Sequence, residues 1–185
     1  MKIPLILSGH GGEIAGVYQT KGKRFIHENG LEILEGVWSR FIKGLLLIEL
    51  KKRRIPYVDL VPEQTDIDLY ERIDRANKAH REHNYNTLLF DIHSNAAPSH
   101  LQGQAHGSEV HISKKASNTS KEMAKVAGEL FKKHFPEARW RSTKRKKWLI
   151  VRRTIMPAVL IEVFFMDNLK ECETYLMSDE GRDRI

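Results

Sequence analysis

The sequence predicts a single α/β domain over residues 1–185: a twisted, mostly parallel mixed sheet of about six strands with helices on both faces. Two observations carry that prediction. Short unbroken apolar runs, the mark of strands buried on both faces, alternate along the chain with segments whose apolar residues recur at the helical period. The length of 185 residues suits one sizeable core, and no linker, repeat or low-complexity tract divides the chain.

The elements follow in order. Ile3–Ser8 is a strand by its apolar run. From Val37 to Arg53, the residues Val37, Phe41, Leu45 and Ile48 keep helical spacing. Ile55–Leu60 reads as a strand after that basic helix end. Asp68–Glu82 is a helix, with Asp66 or Asp68 as cap and Leu69, Ile73 and Ala76 on its inner face. Thr87–Ile92 is the next strand, and Ser108–Ile112 follows a Gly-containing loop as another. Thr119 with Glu122 resembles a capping box, opening a helix with Met123, Val126, Ala127, Leu130 and Phe131 inside. Trp148–Val151 and Ala158–Val163 read as two further strands.

Composition bounds the function. Hydrophobic residues make up 41% and charged residues 30%, a soluble globular balance. A net charge of +7 suggests an anionic partner: nucleic acid, an anionic envelope or an acidic polymer. Cys172 stands alone, which excludes an intrachain disulfide. The apolar start Ile3–Leu7 falls short of the roughly 7–15-residue core of a signal peptide, so cytoplasmic synthesis without one is expected. No stretch approaches membrane-span length, and no membrane insertion is expected.

Four residues stand out chemically. His10, in Gly9-His10-Gly11-Gly12, and His93, in Asp91-Ile92-His93-Ser94-Asn95, each end an apolar run, where ligands of α/β sheets gather. Histidine is also the commonest metal ligand. Asp91 shares a strand face with His93, and its carboxylate either orients that imidazole or is a satisfied structural acid. Glu35 opens the long helix, where a carboxylate also complements the helix dipole. Glu162 lies in the apolar run Ala158-Val-Leu-Ile-Glu162-Val-Phe-Phe165, so burial would cost it solvation and raise its pKa toward general-base range.

Taken in order, Ser8-Gly-His10-Gly-Gly, Glu35-Gly-Val-Trp-Ser-Arg40, Ile92-His93-Ser-Asn95-Ala and Pro157-Ala-Val-Leu-Ile-Glu162 running on to Asn168 resemble the zinc-dependent N-acetylmuramoyl-L-alanine amidases of the amidase-3 family, which cleave peptidoglycan. The resemblance implies an amidase/phosphorylase-hydrolase-like fold with His10, Glu35 and His93 as zinc ligands and Glu162 as catalytic acid/base. Two imidazoles and a carboxylate leave one position open on zinc, the catalytic arrangement. It further implies peptidoglycan, both stem peptide and glycan strand, as partner, and a monomer that binds no nucleic acid. Like a phage endolysin, it would act on the cell wall after release by another factor. The chain departs from the family pattern at Phe164, where glycine is frequent, and at Asp91, where a small hydroxyl residue is more usual.

Other residues are secondary. Asn95 and Glu109 are candidates for the substrate groove or for orienting ligands; Glu109 and His111 are expected first as edge-strand residues, with a binding role as the alternative, and His80 and His83 at a solvated helix end. Arg152 is a candidate contact to the acidic stem peptide, or a surface ion pair. The basic stretch Arg139–Trp148 invites three readings: nucleic-acid binding, a solvated loop, or attraction to an anionic envelope. Two alternatives to the amidase thus stand: a zinc peptidase or carboxypeptidase on another peptidoglycan amide, and a basic nucleic-acid-binding domain.

Overall fold

In the computed structural model, which describes residues 1–185, apolar alternation along the first strand sets the layers. The elements are β1 (Ile3–Ser8), two small hairpins formed by β2 (Glu13–Ile14) with β3 (Val17–Tyr18) and β4 (Arg24–Ile26) with β5 (Glu32–Leu34), then α1 (Glu35–Lys52), β6 (Val58–Asp59), α2 (Leu69–Glu82) and β7 (Thr87–Asn95). They continue with β8 (Ser108–Ser113), α3 (Asn118–His134), β9 (Trp140–Lys146), α4 (Leu149–Arg153) and β10 (Ala158–Phe165). The C-terminal segment comprises α5 (Leu169–Glu171), a π turn over Cys172–Leu176, and α6 (Asp179–Arg184).

Six strands pair in the order β6-β1-β7-β10-β8-β9. The first four run parallel, β8 is antiparallel to β10, and β9 is parallel to β8. Leu5 and Leu7 pack with Leu89 and Leu160 against α2 and α4 on one face. Ile6 turns to the other face, into a cluster with Trp38, Ile42, Phe135 and the C-terminal Tyr175 and Leu176. A third cluster seats Ala124 of α3 on Val110, Ile112 and Val159. The expected class, a mostly parallel mixed sheet with helices on both faces, is the one observed. No helix is long and apolar enough to cross a membrane.

Several local expectations are corrected. Trp148–Val151 is not a strand: Leu149–Arg153 is a short helix whose Ile150 and Val151 close the core beside α2. Apolar runs this short do not distinguish strand from helix by pattern. The basic stretch contains β9 rather than a loop, a charged strand at the sheet edge, where lysine and arginine discourage pairing with other chains. The Ile55–Leu60 strand shrinks to Val58–Asp59, and the Thr87 strand runs on through Asn95, so His93 lies within it.

Helix faces also differ. Val37, Phe41 and Ile48 are exposed, and α1 instead buries Trp38 and Ile42 together with Ser39, Arg40 and Lys43. Those three polar residues bond backbone carbonyls below the helix, so an apolar period misplaces its inner face. On α2, Asp68 is the cap and accepts from Tyr70 N, while Ile73 and Ala76 are buried and Leu69 is exposed. Ser117, not Thr119, caps α3. Its inner face is Ser120, Ala124 and Gly128, small residues that let the helix approach Trp140, and Val126 and Leu130 face outward.

Candidate metal centre

The His10 loop is shaped by its neighbours. His10 has φ +60, a left-handed conformation that a polar ring tolerates better than a branched one does. Two buried arginines hold it there. Arg40 Nη1 donates to the His10 carbonyl at 2.5 Å and also to Gly9, and Arg72 Nη2 donates to the same His10 oxygen at 2.8 Å. Ser39 Oγ adds a bond to the Gly9 carbonyl at 3.0 Å. A side chain at Gly9 would collide with the His93 ring, and one at Gly36 with the Gly11 carbonyl, so both glycines mark close approach.

These constraints bring the two histidines together. Their rings meet edge to face with centroids 5.2 Å apart. Glu35, the first residue of α1, lies between them: Oε2 is 3.2 Å from His10 Nε2 and Oε1 is 2.8 Å from His93 Nδ1. The ligand atoms of His10, Glu35 and His93 all lie within 4.8 Å of one another. Burial pushes the Glu35 carboxyl up, but hydrogen bonds from both imidazoles hold it at about 2. His93 Nε2 lies 3.2 Å from Asp91 Oδ2. Burial opposes charge on that ring, yet Asp91 and Glu35 raise its pKa well above the ordinary imidazole value. The three donor atoms are close enough together to make this a candidate metal site.

Glu162 stands beside this cluster, paired in register with His93 on β7 and with Glu109 on β8. Burial lifts its carboxyl to about 7; His93 opposes the shift, and Glu35, Glu109 and Asp91 add to it. Glu162 Oε2 and Asp91 Oδ1 are buried without hydrogen-bond partners. Both residues line the cavity over the site, where a ligand or ordered water can satisfy them. Just past Glu162 the pairing with β7 shifts register, a bulge of the sort found beside active sites.

A cavity of about 770 Å³ opens over these groups, lined by His10, Glu35, His93 and Glu162 and by Asp66, Arg72, Asp91, Asn95 and Trp148 among others. His10, Glu35, Asp91, His93, Asn95 and Glu162 therefore converge on one space. Glu109 and Arg152 do not line it. Glu109 is buried, and although burial pushes its carboxyl up, hydrogen bonds from His111, Lys144 and Arg141 hold it far below the usual range. Arg152 is exposed on α4. His80 is buried rather than solvated, and β8, which carries Glu109 and His111, is an interior strand rather than an edge.

Arg72 and Trp148 are the site residues that sequence reasoning missed. Arg72 stands one helical turn before the buried Ala76 on α2, and that spacing puts it on the inner face. Trp148 was hidden by the misread strand.

A family model described as N-acetylmuramoyl-L-alanine amidase matches residues 5–185. Among solved structures, the N-acetylmuramoyl-L-alanine amidase from Clostridium difficile 630 is 24% identical, with a TM-score of 0.80 over 99% of this chain and 90% of that one. The catalytic domain of CwlV, from Bacillus (Paenibacillus) polymyxa var. colistinus, is 24% identical, with a TM-score of 0.75 over 100% of this chain and 91% of that one. An endolysin catalytic domain targeting Clostridia difficile is 23% identical, with a TM-score of 0.67 over 98% and 92%. No curated protein matches the chain by sequence.

Proposed function

The chain belongs to the N-acetylmuramoyl-L-alanine amidase family, and on that premise we propose that residues 1–185 form a zinc-dependent catalytic domain that hydrolyses the amide between N-acetylmuramic acid and L-alanine in peptidoglycan. The observation that carries this reading is the His10–Glu35–His93 donor set beside the unpartnered oxygen of Glu162.

The donor set suits zinc. His10 would bind through Nε2, Glu35 through its carboxylate and His93 through Nδ1. Asp91 Oδ2, 3.2 Å from His93 Nε2, would favour the proton on that nitrogen and leave Nδ1 to coordinate. When bound, zinc supplies positive charge that polarises the substrate carbonyl and acidifies the attacking water.

The chain's own contribution is proton transfer and positioning. Glu162, beside the donor set with one buried carboxylate oxygen unpartnered, takes the proton of the attacking water as the C–O bond forms. It returns that proton to the alanine nitrogen as the C–N bond breaks, so a free muramoyl lactate and a free amine leave. Arg40 and Arg72 keep the His10 loop in place throughout, with charge-assisted bonds worth about 1.5–3 kcal/mol each.

Glu162→Gln should lower kcat at least about a hundredfold, the lower range for a lost general base, while bound zinc per chain stays unchanged. Near-normal turnover would reject the role. Mass spectrometry of digested peptidoglycan should find free lactyl-muramic ends and new L-alanine N-termini. New peptide C-termini instead would make the chain a peptidase.

A further inference from the structure

Trp148 is the only indole or phenyl group lining the cavity, and no step of the proposed hydrolysis involves it. It is 49% exposed, yet it is not free. Its Nε1–H donates to His111 Nδ1 at 2.9 Å. His111 therefore carries its proton on Nε2 and donates it to Glu109 Oε1 at 2.8 Å. Glu109 Oε2 is in turn held by Arg141 at 2.8 Å and Lys144 at 2.6 Å. His111 and Glu109 are each only 3% exposed.

A chain of four side chains, two of them buried, thus fixes the orientation of one half-exposed indole. Such a network is costly unless complete, and its visible product is a rigid ring beside the catalytic groups. With its N–H occupied, the indole has no donor left for a ligand, and what it adds to the cavity lining is apolar. If the chain cleaves the muramoyl–L-alanine bond, the substrate has one group of matching shape: the C–H face of the pyranose ring. The alanine methyl is small, and the carboxylates of the stem peptide would not favour a π face.

We propose that Trp148 is a stacking platform for the muramic acid ring, with His111 and Glu109 as its positioning residues; this rests on the reaction proposed above. Lys146 does not line the cavity; its Nζ lies over the indole 5.8 Å from the ring centroid, a further hold on the ring's orientation.

The test compares two substrates: N-acetylmuramoyl-L-alanyl-D-isoglutamine, and the same dipeptide acylated with O-methyl-D-lactate, which lacks the sugar. The readout is the ratio of their kcat/KM values. In Trp148→Ala that ratio should fall about tenfold, chiefly through KM for the sugar-bearing substrate, as expected for one lost aromatic contact. Trp148→Phe, which keeps a flat ring, should retain most of it. His111→Leu should lower the ratio as Trp148→Ala does, whereas His111→Gln, whose amide oxygen accepts from the indole, should preserve it. Thermal unfolding of each variant separates folding loss from this effect. A ratio unchanged in Trp148→Ala overturns the platform alone. A wild-type enzyme that cleaves neither substrate overturns the proposed reaction, and the platform with it.

Discussion

Phe164 departs from the family pattern, and its backbone shows what the departure entails. It has φ +53, the left-handed region, where a bulky residue carries about 1–2 kcal/mol of strain and glycine carries none. The strain is offset by packing. Phe164 is fully buried on the sheet face away from the cavity, stacked on Tyr175 with centroids 4.2 Å apart, and its N–H donates to Ser108 Oγ. The ring thus leaves the substrate groove open. Phe164→Gly should remove the strain but forfeit a core aromatic worth about 3–5 kcal/mol, a net loss of about 2 kcal/mol. Urea unfolding reads that loss, and kcat at a temperature where the variant stays folded should hold near wild type. A large fall in kcat there would place Phe164 in the groove after all.

Among elements, those with one dominant pattern were legible in the chain and those shaped by a neighbour were not. The Ile3–Ser8 strand keeps its predicted bounds because its apolar run has no competing period. By contrast, α1 turns its apolar stripe outward because Ser39, Arg40 and Lys43 satisfy carbonyls that only the folded chain puts beneath them. Helix α2 shows the same effect at His80. This ring is buried against β7 with Nδ1 2.7 Å from Thr87 Oγ1. Burial holds its pKa below the usual 6.5, and Lys2 and Arg81 push the same way. A depressed folded-state pKa contributes stability that is present above the unfolded value and lost as pH falls through the folded one. His80→Gln should therefore lose less stability than the wild type between about pH 7 and pH 5. Denaturant midpoints measured across that range check it, and parallel declines would reject it.

At the scale of the molecule, the candidate ligands tie together parts far apart in sequence: the loop after β1, the start of α1 and the end of β7. Metal bound there must stabilise the whole fold. Free zinc at about 100 times its dissociation constant should add about 2.7 kcal/mol to unfolding, a rise of several degrees in Tm for a domain of this size. Chelation should reverse the rise, and Glu35→Ala should abolish it. A wild-type Tm indifferent to zinc would count against the site. The +7 charge is also partly structural at this scale. Arg40 and Arg72 are buried under the His10 loop, and Arg141 and Lys144 neutralise Glu109, so part of the basic excess serves the interior.

By itself the chain determined its class and pointed to its candidate site. Alternating apolar runs specify an α/β sheet, and His10, His93 and Glu162 are legible because each is polar where local pattern calls for apolar or small residues. Only the tertiary structure decided which way helices face, that Arg72 grips the His10 carbonyl, and that Trp148 stands over the cavity on a buried relay. The physical reason is one of range. Hydrophobic periodicity is a local signal, written every few residues. Satisfying a buried carbonyl, carboxylate or indole N–H depends on partners brought close only by folding, and no local pattern records them.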